Sequence, residues 1–276
     1  MIKALLITLL TATLAHAQSY DARTADYLRA WGIGAAAQVA FPTNGLVAYW
    51  SMDSVSGNTV EDTFGSNDGT AVGEPLFGTE YGKYLNGVNL NGSSQYISVP
   101  NAPSISFGNG ATDSPFSVSA WIKMDDAKSF RAVQKYDNSN REWLLGTAND
   151  SKLYFYLVDS SLGDPNGHIA RYYNTALTSR TGEWINITGV YTAESGGESA
   201  VNDISVYLNG VRVDDATSNG AGTYVAIGSV APLWIGRLSS AYANGSIDEV
   251  AIWNRALSSN EVSEIYNNGA GKFYTP

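Results

Sequence analysis

Residues 236–266 read GRLSSAYANGSIDEVAIWNRALSSNEVSEIY, and their reading decides the fold. A glycine turn leads into a strand predicted over 246–253. Alternation sends Ile247, Ala251 and Trp253 to one face and Asp248, Val250 and Ile252 to the other. Apolar residues on both faces suit a strand packed inside a sandwich. Ser258-Ser259-Asn260-Glu261 is then a capping box. The Ser258 hydroxyl accepts from the Glu261 amide, and the Glu261 carboxylate accepts from the Ser258 amide. Leu257 and Val262 occupy the hydrophobic-staple positions, and Gly269 is the expected left-handed stop. One short helix therefore closes a chain that otherwise reads as strands.

Working outward, the remainder supports that reading. Asn209-Gly210 between apolar runs predicts a type I′ hairpin, because both residues tolerate positive φ. Asn86-Gly87 and Asn91-Gly92 give further turns. Over 152–158, Leu153, Phe155 and Leu157 alternate with Tyr154, Tyr156 and Val158. The chain holds 28 Gly, 17 Tyr and 7 Trp, and only 15% of its residues are charged. Glycine and asparagine turns between aromatic and β-branched runs make an all-β composition. The 163–174 stretch reads as loop, as does Glu194-Ser195-Gly196-Gly197-Glu198-Ser199-Ala200.

The closing stretch resembles the end of the laminin-G-like, concanavalin A-like jelly-roll domains. Further pieces fall in the family's order. GLVAYWSMD (45–53) looks like its opening strand, and Asn67-Asp68-Gly69-Thr70 like the loop that follows. LNGSSQYISVP (90–100), FSVSAWIKM (116–124), GEWINITGVY (182–191), ISVYLNGVRV (204–213) and LWIGR (233–237) resemble its later strands. The resemblance spans roughly residues 44–270 and implies a two-sheet antiparallel jelly-roll sandwich with a short C-terminal helix. Function varies widely on such folds.

The first 17 residues have a short positive start, an apolar run over 4–14 and an Ala-His-Ala end, the pattern of a cleaved signal peptide. That predicts a secreted, periplasmic or cell-surface protein with no membrane insertion of the mature chain. Residues 18–43 read as a tether, or as a docking segment through which homo-oligomers assemble. Residues 271–276 read as a tail. The net charge is −10, with no Lys/Arg run, which argues against nucleic acid as a partner. Cysteine is absent, so neither disulfides nor thiolate metal sites form.

Three chemistries come into question for these residues. Catalysis of the laminarinase kind needs carboxylates at alternate strand positions aimed into one cleft. Glu61-Asp62 and Asp248-Glu249 are adjacent pairs and point apart, and His168 is the lone histidine after residue 17. Calcium takes six to eight oxygens. The resemblance implies a structural calcium where the first and last strands run side by side, at Asp53 and Asp248, with loop carbonyls near Gly57-Asn58, or Asn67 and Asp68, supplying the rest. Sugar binding uses aromatic rings against pyranose faces and polar groups on hydroxyls. Its candidates are Trp143, Tyr154, Tyr156, Tyr172 and Tyr173, with Arg171 beside them, although any single ring more often fills a sandwich core than faces outward. An extended Tyr172-Tyr173 pair must turn one ring outward. The expectation is a non-catalytic, calcium-stabilised recognition domain for a glycan or a glycosylated or protein surface. Its rivals are a structural or assembly protein and a laminarinase-like hydrolase.

Overall fold

The closing strand is longer than its sequence suggests and breaks its own alternation. In the computed structural model, which describes residues 41–275 apart from 138–139, 160, 163–165 and 229, it runs Asn244–Trp253. It pairs antiparallel with Phe116–Met124 on one side and with Gly87–Asn91 and Leu46–Trp50 on the other. Its register against Phe116–Met124 shifts between Asp248 and Ala251, where Glu249 has φ 54°. A bulge inserts one residue and flips the phase of alternation. Ile247, Val250 and Ile252 thus all enter the core, while Ala251 and Trp253 face outward. This corrects the expected placement of Ile247 beside Ala251 and Trp253.

Two large antiparallel sheets sandwich the core, which is the predicted all-β architecture. The eight-stranded sheet runs Val211–Arg212, Ile204–Leu208, Trp184–Tyr191, Phe116–Met124, Asn244–Trp253, Gly87–Asn91, Leu76–Gly78, with Leu46–Trp50 also on the closing strand. The ten-stranded sheet runs Ala216–Asn219, His168–Tyr172, Leu153–Val158, Arg141–Thr147, Arg131–Tyr136, Leu233–Ile235, Tyr96–Val99, Gly69–Val72, Thr59–Val60, Val55–Ser56. Between them lie Trp50, Phe116, Phe130, Trp143, Phe155 and the aliphatic residues of both inner faces. At the predicted hairpin Asn209 and Gly210 have φ of 52° and 75°.

The eight-stranded sheet's outer face is also apolar, and it is covered. The helix Ser259–Tyr266 lays Val262 and Ile265 on Tyr49, Val190, Tyr207, Ala251 and Trp253. Its capping box forms as read, but it ends at Asn267, φ 46°, rather than at Gly269. The left-handed stop therefore uses asparagine, which tolerates that conformation.

Two loop expectations are corrected. Residues 168–172 form a strand, because they find edge partners in Leu153–Val158 and Ala216–Asn219. Residues 197–203 wind into a 3-10 turn that buries Ala200, with Asp203 accepting from the Ser195 amide and hydroxyl. The supposed tail also packs. Phe273 stacks on Tyr84 at 4.5 Å, and Tyr274 meets Tyr49 and Phe64. The expected signal peptide and residues 18–40 of the tether lie outside the described residues.

Candidate functional site

The outer face of the ten-stranded sheet is built by register. One cross-strand row runs Ser98, Trp234, Gln134, Leu144, Tyr156, Ala170, Ser218. The next runs Arg131, Gly146, Tyr154, Tyr172, Ala216. These residues alternate with the core-facing ones, so the strands that bury Phe155 and Leu157 must present Tyr154 and Tyr156 outward.

Three of the six expected sugar-binding residues gather here. Tyr154 and Tyr172 stack at 4.5 Å, and Tyr156 stacks on His168 at 4.6 Å. The Tyr154 hydroxyl donates to Asp150 at 3.0 Å, and burial with that acceptor raises its pKa. The other three point elsewhere. Trp143 is fully buried in the core. Tyr173, one residue out of phase with Tyr172, packs against the core instead. Arg171 pairs across from the inward-facing Phe155 and is held by Asp214 at 2.6 Å. The tyrosines form a wall more than a platform, since each pair spends ring faces on its own stacking.

A depression lies on the same face, lined by other residues. A short hairpin, Arg237–Leu238 with Ala241–Tyr242, folds over the sheet. Its anchor is Arg237, whose guanidinium lies over Trp234, Tyr96 and Tyr242 at 4.3, 4.6 and 5.4 Å. Between the hairpin and the sheet is a cleft of about 440 Å³ lined by Arg131, Tyr136, Arg141, Asn149 and residues 238–241. Arg141 lies over the Tyr136 ring at 5.3 Å. Burial lowers the pKa of Arg131, against the charges of Tyr136, Asp150 and Tyr156. Gly146 stands beside Arg131 in the register row, and a Cβ there would come within 2.5 Å of the Phe130 carbonyl. Close backbone approach thus requires glycine at this point. Deeper on the same face, Gln134 is fully buried with neither amide atom hydrogen-bonded. Sequence reading missed Arg131, Gln134 and Arg141, because only the register brings them together.

The four expected calcium ligands divide into two places. Asp248 is fully buried. Its Oδ2 accepts from the Lys83 and Tyr84 amides at 2.8 and 3.0 Å, and its Oδ1 from the Glu249 amide at 2.9 Å. Asp53 lies near enough to add its charge, and it accepts from the Asn86 amide at 2.7 Å. Burial pushes the Asp248 carboxyl up to about 8, with Asp53 adding to the rise, and burial raises Asp53 as well. Glu249 is buried with neither carboxyl oxygen hydrogen-bonded, and burial pushes it up to about 9. Asn67 and Asp68 belong to a separate network. Asp62 accepts from the Asn67 amide and side chain and from the Tyr49 and Gly65 amides, while Asp68 accepts from the Asp62 amide. Those groups are spent fixing a loop. Among the described residues no three Asp, Glu, His or Cys side chains gather as a metal cluster. Two carboxylates that accept from amides of the same 83–86 loop, each made harder to ionise by burial, fit a hard cation whose remaining ligands are carbonyls and water.

Comparison with known proteins gives the fold its relatives. Domain 4 of the extracellular arabinanase AbnA from Geobacillus stearothermophilus, solved with arabinotriose, is 21% identical with a TM-score of 0.55, over 79% of this chain and 97% of that one. The binding domain of Paraclostridial mosquitocidal protein 1 is 17% identical with a TM-score of 0.59, over 82% of this chain and 53% of that one. The botulinum neurotoxin serotype G binding domain is 14% identical with a TM-score of 0.61, over 81% and 51%. The chain thus spans about half the length of the toxin binding domains it matches. At such identities the likeness is one of fold. No curated protein matches the chain. No helix among the described residues is long and apolar enough to cross a membrane. Residues 91–263 match the laminin-G-like family described as the concanavalin A-like lectin/glucanases superfamily, and the chain belongs to it.

Proposed function

We propose that this chain is an exported, non-catalytic recognition domain that holds a glycan, free or on a glycosylated surface, against the outer face of its ten-stranded sheet. The observation that carries the reading is the cleft between the 237–242 hairpin and the ten-stranded sheet, lined by Arg131, Tyr136, Arg141 and Asn149 together with the hairpin tip. Its size falls within the roughly 300–1,000 Å³ of small-ligand sites. Its lining offers guanidinium, amide and hydroxyl groups in place of carboxyls. Glycoside hydrolysis needs two carboxyls across one bond, so the lining favours holding over cleaving. The structural relatives support the same class. One is an arabinanase domain solved with arabinotriose, and another is a botulinum neurotoxin type C chain, whose cell entry depends on interaction with two ganglioside molecules.

The test is a glycan array with polysaccharide pull-down, using the full chain and Ser240→Trp, which fills the cleft. Binding by the parent that Ser240→Trp abolishes is the expected result. Equal binding by both would move the site elsewhere, and a blank array would favour the assembly role. Release of sugar from any bound polysaccharide would overturn the non-catalytic reading.

Calcium at the Asp53–Asp248 seam is a second part of the proposal. Bound there, it would supply structural charge neutralisation with no role in chemistry. A ligand that binds only the folded state raises the melting midpoint. The midpoint should therefore rise with calcium over chelator in the parent, and not in Asp53→Asn. No shift in the parent would remove the metal.

A further inference from the structure

The cleft differs in charge from the chain as a whole. The chain carries −10 overall, yet among the described residues the cleft lining includes Arg131 and Arg141 and no carboxyl group. The acid bearing on Arg131 is Asp150, which also takes the Tyr154 hydroxyl and lies 3.6 Å from Lys152. Arg237, on the wall, is committed to three aromatic rings. Arg131 and Arg141 both line this one concavity. Around them stand a tyrosine ring, an asparagine and the two serines of the hairpin tip. Planar guanidinium forks match planar carboxylates with paired, charge-assisted hydrogen bonds. The long-range repulsion of an acidic chain is screened beyond about 8 Å at physiological salt, whereas contacts inside a cleft are not.

We propose that the cleft takes a carboxylate-bearing sugar, a uronic acid residue of an acidic polysaccharide. Arg131 and Arg141 meet the carboxylate, and Asn149, Ser239 and Ser240 meet the ring hydroxyls. This rests on the carbohydrate-binding function proposed above and narrows it to one ligand class. The 237–242 hairpin is then the specificity element, because it supplies the second wall and both serines.

The experiment is isothermal titration of the full chain with polygalacturonate and alginate, with the same polymers after reduction of their carboxyls to alcohols, with arabinan, and with dextran sulfate. Arg141→Gln, Arg131→Lys and Ser240→Trp are titrated alongside. Loss of the charge-assisted pair should weaken binding at least about tenfold. That loss is expected on carboxyl reduction and in Arg141→Gln. Arg131→Lys, which keeps the charge but not the fork, should fall between. Equal affinity for parent and reduced polymers, or binding of arabinan alone, would overturn the uronate inference and leave carbohydrate recognition standing. Dextran sulfate binding as tightly as the uronates would also overturn it, since charge alone would then suffice. Undiminished uronate binding by Arg141→Gln and Ser240→Trp would remove the cleft as the site. Silence on every polysaccharide, neutral and acidic, would overturn both the inference and the function it rests on. Should Arg131→Lys lose its thermal transition, the other two variants carry the test.

Discussion

Arg237 sets one guanidinium over three rings, and those contacts hold the hairpin to the sheet. Exposed cation–π contacts are worth about 0.5–1 kcal/mol each, and three sharing one cation do not simply add. Arg237→Ala should cost about 1–2 kcal/mol, read as a lower urea midpoint. It should weaken glycan binding further by loosening the cleft wall. An unchanged midpoint would contradict the anchoring role. Asp248 offers a second single-residue test. Three backbone amides donate to its two oxygens. In Asp248→Asn an NH2 group must face at least one of those donors, and an unsatisfied buried group costs about 1–3 kcal/mol. The loss should persist in chelator, which separates it from any metal effect; full stability in chelator would contradict this hydrogen-bonding account. At this scale the sequence was only partly legible. Asp53 and Asp248 came from the family resemblance alone, as ligands of a calcium that belongs to the proposal. Arg131 and Gln134 did not stand out, because nothing local separates them from any other polar residue on a strand.

The helix shows what a local signal can specify. Ser258 and Glu261 are three residues apart, and their reciprocal hydrogen bonds form as the spacing predicts. Arg255 adds paired contacts to the Glu261 carboxylate at 3.0 and 2.5 Å. The Arg255 guanidinium, with the Ser258 amide and hydroxyl, holds that carboxyl down to about 2 from an ordinary 4.5. Because the folded value lies below the unfolded one, the group stabilises the fold above about pH 4.5, and that stabilisation is lost as pH falls toward 2. The pair is partly exposed, so solvent screens it. Glu261→Gln should therefore cost about 1 kcal/mol at pH 7, with parent and variant converging near pH 2. Denaturant midpoints across that range would show it, and a gap constant with pH would contradict it. The bulge at Glu249 left no comparable trace in the sequence. It arises from pairing with strands more than a hundred residues away, and strict alternation carried across it misplaced Ile247. The 168–172 strand was hidden for a related reason. It follows the turn-rich sequence Gly-Asp-Pro-Asn-Gly at 163–167, which draws the whole stretch toward a loop reading, and its edge partners make it extended.

Across the whole molecule, the described ends of the chain meet on one residue. Phe41 and Tyr274 both pack against the Tyr49 ring, at 5.3 and 5.5 Å, and the Tyr274 amide donates to the Tyr49 hydroxyl at 3.1 Å. Trp253 donates from Nε1 to the Pro42 carbonyl at 2.6 Å. Tyr49 and Trp253 lie on the outer face of the eight-stranded sheet, on its first and last strands. The sandwich therefore has a second apolar layer, closed by the helix and by both chain ends. Composition hinted at this layer, since the closing strand was apolar on both faces, but nothing local tied residues 271–276 to it. Deleting residues 273–276 would bare Tyr84, Phe64 and one side of Tyr49. Partial burial of two aromatic side chains is worth roughly 2–4 kcal/mol. The truncated chain should unfold at lower denaturant with an unchanged slope, because the sandwich stays intact and only its outer cover is lost. Its cleft lies on the opposite sheet, so glycan binding should survive truncation at temperatures where the domain remains folded. A midpoint equal to that of the parent would show that the end segment contributes nothing. Loss of binding with the fold retained would show that the two outer faces are coupled through the core.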